Sequence, residues 1–204
     1  MLAGGGSWGG LVPGAEFRVA NIFHTDAKGA SLGSTKAIVR AIDWLIAEKV
    51  AIINLSFGGA PNGLIKHALD HAHDRGVVLI ASGGNSGPFT KAKSYPAAYE
   101  NVIAVTAMDR FGRMARFSSK GDYLEFAAPG VDIWTAVPRG GKAMSGTSFA
   151  APIITGMAAA AIQHKGAKGV EGVRAYLRQH AVDKAQKGRD VYTGWGLVQL
   201  KPVC

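Results

Sequence analysis

One segment of the chain has the residue types and spacing of a nucleophilic site. It runs from Ser145 to Pro152 with the sequence SGTSFAAP, and an apolar stretch follows it to about Gln163. A glycine-permitted turn that leads into a helix would place Ser148 beside unpaired backbone N–H groups, at the positive end of the helix dipole. A hydroxyl in that position suits a reaction that generates an oxyanion. The simpler interpretation is a serine that only caps the helix, which is the commoner use of serine there.

Two polar, glycine-rich segments each end an apolar run. They are Asn54–Gly59 (NLSFGG) and Ser82–Gly87 (SGGNSG). In a parallel sheet the ligand site lies beyond the carboxyl ends of the strands, so both loops point to one binding edge. A phosphate-binding module that uses Ser82–Gly87 is a further interpretation. It has little support, because the segment matches neither GxGxxG nor GxxxxGK[ST].

The elements that would position these residues can be read from the hydrophobic pattern. Continuous apolar runs predict buried strands, and apolar residues at helical spacing predict amphipathic helices. The predicted strands in such runs are Val50–Leu55, Val77–Ala81, Val102–Ala107 and Leu124–Ala127. A further short strand is predicted at Phe17–Ile22. The predicted helices contain the stripes Ile38–Ile46, capped by Ser34 or Thr35, and Leu64–Ala72, ended by Gly76. This alternation implies right-handed crossovers and a parallel sheet covered on both faces.

The nucleophile segment is similar to a family motif. GTSFAAP, residues 146–152, resembles the nucleophile motif of the subtilisin-like serine peptidases, the subtilases. Four other segments resemble parts of that family in the same order. They are Asn54–Gly59, Ser82–Gly87, the stretch from Phe117 to Gly130, and Gly194–Val198. The resemblance extends from about Leu11 to Val198.

The resemblance implies an α/β fold with a parallel sheet in three subtilisin-like layers. It also implies that the family's N-terminal strand and histidine-bearing helix are lacking, so residues 1–204 form a single partial peptidase domain. Pro152 is expected in the first turn of the nucleophile helix, where proline is tolerated.

The activity implied by the resemblance is that of a serine endopeptidase working by acyl transfer. Ser148 would attack the scissile carbonyl, and its own backbone N–H together with the Asn85 amide would stabilise the oxyanion. An extended polypeptide substrate would lie against the two loops by β-strand addition. Phe57 would make the specificity pocket apolar. The expected substrate-binding residues are Ser56, Phe57, Gly58, Gly59, Ser82, Gly83 and Gly84.

The sequence departs from the family at the base and its orienting acid. No Asp precedes Ser-Gly or Thr-Gly, and none of the six histidines precedes a glycine. Residues 1–6 and 10–15 resemble the stretch that comes directly after the histidine-bearing helix in the family. We therefore expect the C-terminal part of a catalytic domain, inactive and poorly stable alone, with the missing N-terminal portion as a partner. The alternative is a non-catalytic peptide-binding pseudopeptidase.

His24 is the one candidate for a substitute base, with Asp26 two residues further on. A solvated loop histidine is the favoured interpretation, because the geometry between a nucleophile and its base is demanding. His164 and His180 fall at predicted helix ends, where a cation interacts well with the helix dipole.

No cofactor or metal site is predicted from the residues, although the resemblance leaves a structural calcium ion open. His67, His71 and Asp74 share one helical face, but Ala68 stands where HExxH requires Glu. These three are expected to be surface residues. The lone cysteine, Cys204, excludes an internal disulfide framework.

Composition limits the remaining classes of function. The formal charge is +9, but the cations are scattered and no aromatic-rich basic stripe accompanies them, so nucleic acid is not an expected partner. No apolar run is long enough for a membrane span. The opening residues lack the pattern of a signal peptide. The localisation cannot be read from the chain, and the resemblance suggests a secreted or cell-envelope protein.

Overall fold

The computed structural model describes residues 10–25, 27, 31–137 and 140–199. Strands and helices alternate along these residues. The strands are β1 (Phe23–Thr25), β2 (Ser31–Gly33), β3 (Ile52–Leu55), β4 (Val78–Ser82), β5 (Val102–Met108), β6 (Phe126–Pro129), β7 (Ile133–Val137), β8 (Gly140–Met144), β9 (Ala181–Val182) and β10 (Leu197–Val198). The helices are α1 (Thr35–Ala47), α2 (Gly63–Asp74), α3 (Thr147–Lys165) and α4 (Gly169–Gln179). None of these helices combines the length and hydropathy needed to cross a membrane.

A six-stranded sheet in the order β3-β4-β5-β6-β10-β9 forms the middle layer. Its pairings are parallel from β3 to β10, and only β9 runs antiparallel. Alternate residues of β4 pack against the helical layers on opposite sides of the sheet, because side chains of a strand point alternately to its two faces. Val78 and Ile80 pack with α3 and α4, whereas Leu79 and Ala81 pack with α1 and α2. The three-layer α/β fold is therefore confirmed.

Local sequence determines several of the element boundaries. The Ser34 hydroxyl accepts a hydrogen bond from the Ala37 backbone N–H at 3.1 Å, which confirms Ser34 as the cap of α1. Gly76 follows α2 in the left-handed region with φ +81°, as expected of a residue that ends a helix. The predicted strands from Val50 onward all appear, with boundaries shifted by up to two residues.

The prediction of a strand at Phe17–Ile22 is wrong. This segment is irregular, and the strand begins only at Phe23, where β1 pairs antiparallel with β2 in a separate two-stranded ribbon. A strand needs a neighbouring backbone to pair with. Residues 17–22 have none beside them, because a groove separates them from β3. His24 consequently lies in a strand and not in a loop.

The groove, which we call the β3 groove, has a volume of about 620 Å³. Residues 15–23 form one wall and residues 48–57, which include β3, form the other. Ile38 and Ile42 of α1 line it, as do Thr155 and Ala159 of α3. The groove therefore lies in the sheet layer, between the same two helical layers that cover the sheet.

Candidate active site

Ser148 is the second residue of α3 and follows the turn at Gly146, so the predicted entry into a helix is confirmed. Its side chain is partly buried and lines a cleft of about 670 Å³, which we call the Ser148 cleft. Five of the other predicted site residues line the same cleft. They are Gly58, Gly59, Ser82, Gly84 and Asn85.

Ser56 and Ser148 exchange two hydrogen bonds across 92 positions of the sequence. The Ser148 hydroxyl donates to the Ser56 carbonyl at 3.1 Å, and the Ser56 hydroxyl donates to the Ser148 carbonyl at 3.1 Å. These bonds join the end of β3 to the first turn of α3. They fix the position of the Ser148 backbone and give its hydroxyl a defined acceptor.

Pro152 explains why the Ser148 carbonyl can accept that bond. Pro152 is the sixth residue of α3 and lies beyond the first turn, contrary to the sequence-based expectation. In a regular helix the N–H of residue 152 would donate to the carbonyl of residue 148, but proline has no N–H. The Ser56 hydroxyl takes its place. The proline is thus tolerated because a side chain from β3 satisfies the carbonyl that it leaves unpaired.

Two further polar residues hold Ser56 from behind. The Asn54 side-chain amide donates to the Ser56 hydroxyl at 2.8 Å, and the Asn54 Oδ1 lies 3.0 Å from the Thr155 hydroxyl. Thr155 stands seven residues after Ser148 on α3, so both fall on one face of the helix. The sequence analysis included Asn54 in the Asn54–Gly59 segment but assigned no role to it, and it missed Thr155. The helical spacing from Ser148 was the one available indication.

The Asn85 side chain is fixed by Thr147. Asn85 Oδ1 accepts hydrogen bonds from the Thr147 backbone N–H at 3.0 Å and from the Thr147 hydroxyl at 2.9 Å. A backbone N–H can only donate, so the atom that it contacts must be the amide oxygen. The amide nitrogen of Asn85 therefore points away from these bonds, and no partner holds it among the described residues. It remains available as a donor beside the start of α3.

Several of the predicted substrate-binding residues have their backbone groups in use. Gly83 donates to the Val105 carbonyl and accepts from the Tyr123 hydroxyl. Gly84 donates to the Thr147 hydroxyl and accepts from the Ser119 N–H, while Gly59 pairs in both directions with Tyr95. These three glycines can offer space to a peptide but not further backbone pairing. Strand addition at residues 56–58 would have to share the Ser56 and Phe57 carbonyls, which already accept from the Ser148 and Ser82 hydroxyls.

Phe57 does not line the Ser148 cleft. It lines the β3 groove, and its ring stands edge-on to Phe23 with 6.3 Å between the ring centroids. The role of Phe57 in an apolar specificity pocket thus stays a prediction, and the described structure places its ring on the side of the β3 groove. The cleft lining combines apolar side chains, such as Ala60, Pro61 and Ala92, with hydroxyl-bearing ones. Among the latter are Ser94 and Ser119, which sequence reasoning missed.

Charged and phenolic groups at the cleft have defined states. The Lys93 ammonium lies 2.7 Å from an Asp122 carboxylate oxygen, and this hydrogen bond lowers the pKa of the Asp122 carboxyl. Burial raises the pKa of the Tyr123 phenol, so Tyr123 stays a neutral donor to the Gly83 carbonyl. The Lys93–Asp122 pair carries no net charge.

None of the histidines in the described part of the chain hydrogen-bonds to Ser148. His24 is exposed on β1, and its neighbour Asp26 lies outside the described residues. His180 contacts the Tyr176 carbonyl through Nδ1 at 2.8 Å. The described residues also contain no group of three or more His, Cys, Asp or Glu side chains that could hold a metal ion, and Cys204 lies outside them.

Comparison with known proteins identifies the family. The model of the subtilase family, Peptidase_S8, matches residues 3–196. This chain belongs to the subtilase family. The minor extracellular protease Epr of Bacillus subtilis (strain 168) is 36% identical to the subtilase chain over 194 residues, which are 94% of this chain and 29% of Epr. Subtilisin DY of Bacillus licheniformis is 33% identical over 197 residues, covering 94% of this chain and 69% of subtilisin DY.

A solved structure agrees with the sequence relatives. Fervidolysin from Fervidobacterium pennivorans, described as a keratinolytic enzyme related to subtilisin, superimposes with a TM-score of 0.87 and 31% identity. The superposition covers 97% of the subtilase chain and 34% of fervidolysin. The subtilase chain thus spans only part of the length of each of these three proteins.

Proposed function

We propose that this subtilase chain carries the nucleophile and the oxyanion-binding groups of a serine endopeptidase. Ser148 would attack the scissile carbonyl, and its backbone N–H together with the Asn85 amide nitrogen would stabilise the negative oxygen. The observation that carries the proposal is the orientation of Asn85. Thr147 holds the amide oxygen, so the donor nitrogen lies beside the helix start on which the Ser148 hydroxyl stands.

The energetic reason for this assignment is preorganisation. Donors that are already aimed at the developing charge need no rearrangement during the reaction, and this makes them effective. Asn85 is held by two hydrogen bonds, and Ser148 is held through Ser56. Both residues therefore keep their positions before a substrate arrives.

We further propose that the catalytic histidine and aspartate come from another polypeptide segment seated in the β3 groove. Among the described strands β3 pairs only with β4, so its second edge is open. The groove continues the sheet layer and reaches Ser56, whose carbonyl holds the Ser148 hydroxyl. A parallel strand paired with β3 would end next to the nucleophile, where an orienting acid and a base are needed.

The experiment mixes the chain with a polypeptide that carries an Asp-Thr-Gly strand end and a His-Gly-Thr helix start. Labelling of Ser148 by a fluorophosphonate probe is expected to be at least about 100-fold faster with this segment than without it, because a general base contributes that much. Ser148→Ala and a segment with His replaced by Ala are the controls. Asn85→Ala should lower peptide hydrolysis about 10²–10³-fold, the loss known for such an amide in subtilisin.

Two outcomes would count against the proposal. Binding of the segment without faster labelling would mean that the groove does not place a base at Ser148. Peptide binding without any labelling of Ser148 would instead favour a non-catalytic peptide-binding protein.

We also propose export from the cell, which is supported by the extracellular designation of the relative Epr.

A further inference from the structure

The far end of the Ser148 cleft is built around Ser94. A Cβ atom on Gly58 would lie 2.5 Å from the Ser94 hydroxyl, and one on Gly84 would lie 2.9 Å from the Ser94 Cβ. Ser94 therefore closes the space between the two glycine-rich segments that line the cleft. A side chain that enters the cleft from Ser148 and Asn85 must approach this hydroxyl.

The hydroxyls at this end have unused hydrogen-bonding capacity. The Ser94 hydroxyl has no partner among the described residues, and it is not fully buried. The Ser119 hydroxyl accepts from the Ser86 N–H at 3.1 Å, and no acceptor for its own proton is found among the described residues. An apolar side chain that filled this end of the cleft would leave both groups without a further hydrogen-bond partner, which is unfavourable. A polar side chain would satisfy them.

Charge decides between a polar amide and an acid. Lys93 is the cation that lines the cleft, and Asp122 already pairs with it at 2.7 Å. A carboxylate would therefore meet hydroxyls and a neutralised pair. A carboxamide has both donors and acceptors, as the hydroxyl of Ser94 does. The cleft thus complements glutamine or asparagine better than glutamate or leucine.

We propose that the Ser148 cleft selects substrates with a carboxamide side chain on the acyl side of the scissile bond, and that Ser94 determines this specificity. The proposal rests on the proposed function, because the acyl side is defined by attack from Ser148. It assigns the selectivity to the hydroxyl groups at the far end of the cleft, and not to the Phe57 side chain expected from the sequence.

Binding of two product-like peptides to the 204-residue chain tests the proposal without requiring turnover. Acetyl-Ala-Ala-Gln and acetyl-Ala-Ala-Met differ little in length or shape, and calorimetry gives both dissociation constants. We expect the glutamine peptide to bind about 3–10-fold more tightly, the range of one net hydrogen bond. Ser94→Ala should bring this ratio close to one. Thr135→Ala, which removes a hydroxyl on β7 outside the cleft lining, should leave it unchanged.

Equal or tighter binding of the methionine peptide overturns the proposal, as does a ratio that survives Ser94→Ala or a failure of both peptides to bind. If Ser94→Ala does not fold by circular dichroism, the wild-type ratio decides alone. Labelling of Ser148 is a separate measurement, and it alone shows whether the proposed function fails. A glutamine preference without labelling refutes catalysis only, and labelling without a preference refutes the role of Ser94.

Discussion

The Ser148 hydroxyl is held by a single neutral hydrogen bond to the Ser56 carbonyl. Such a bond contributes about 0.5–1.5 kcal/mol net, so a histidine placed beside Ser148 could take over the proton at little cost. The Ser148 backbone is held more firmly, because Pro152 removes the competing helical bond and Ser56 satisfies the carbonyl. The nucleophile is thus fixed in position while its proton stays exchangeable.

Replacing Thr155 with valine tests the support behind Ser56. Thr155→Val keeps the shape of the side chain but leaves the Asn54 Oδ1 without the hydroxyl that lies 3.0 Å from it. We expect the free energy of unfolding to fall by about 1 kcal/mol, as measured by urea denaturation. Thr155→Ser keeps the hydroxyl and should retain most of the stability. A loss in Thr155→Ser with none in Thr155→Val would show that the methyl group, and not the hydrogen bond, matters.

These residue-level contacts explain what the sequence could and could not predict at the site. The position of Ser148 at a helix start was predictable from the glycine and small residues around it, and Asn85 was singled out by the family resemblance of its segment. Thr155 and Ser94 were not, since their roles depend on chain segments far apart in sequence. Thr155 meets Asn54 across 101 positions, and Ser94 faces Gly58 across the cleft.

At the scale of elements, buried strands were predictable because continuous apolar runs have few other uses. β4 and β5 are buried along their whole length. The prediction failed at Phe17–Ile22, which contains Arg18 and Asn21 and pairs with no strand in the described structure. A strand forms only when its backbone can hydrogen-bond to a neighbouring strand, so the sequence of one segment does not establish that it is a strand.

An ion pair joins α4 to the chain just before β6. Arg174 donates two hydrogen bonds to the buried carboxylate of Glu125, at 2.8 and 2.9 Å. Burial raises the pKa of the Glu125 carboxyl, and the bonds from Arg174 oppose that rise. Removing Arg174 would leave a buried charge without its partner.

We therefore expect Arg174→Leu to lower the free energy of unfolding by about 3–5 kcal/mol at pH 7. Without Arg174 the pKa of Glu125 rises further above its value in the unfolded chain. The folded state then binds a proton more readily, so the loss should be full above the folded pKa and diminish as the pH falls towards the unfolded value. Urea denaturation between pH 4.5 and 7 measures this trend. In the double variant Glu125→Gln and Arg174→Leu, the loss of unfolding free energy attributable to Arg174→Leu should no longer depend on pH. A loss that still varies with pH would contradict the mechanism.

The molecule as a whole is a sheet that is covered on both faces and borders the β3 groove at its β3 edge. Phe17, Val19 and Phe23 line the β3 groove, and Val19 exposes 82% of its surface. An unpaired strand edge beside apolar side chains is a template for association with another chain. We therefore expect this edge of the chain to favour association with another polypeptide.

A lysine at the open edge should reduce self-association. Ala51 is exposed, lines the β3 groove and directly precedes β3. Ala51→Lys places a charge where another strand would have to pair. Natural edge strands carry lysines for this purpose, because the charge prevents association with another strand. We expect slower heat-induced light scattering than in the wild type and a larger monomer fraction by sedimentation velocity. Ala47→Lys adds the same charge on the exposed last turn of α1, outside the groove lining, and should leave both measurements near the wild-type values. If the two variants behave alike, net charge and not the open edge of β3 governs association.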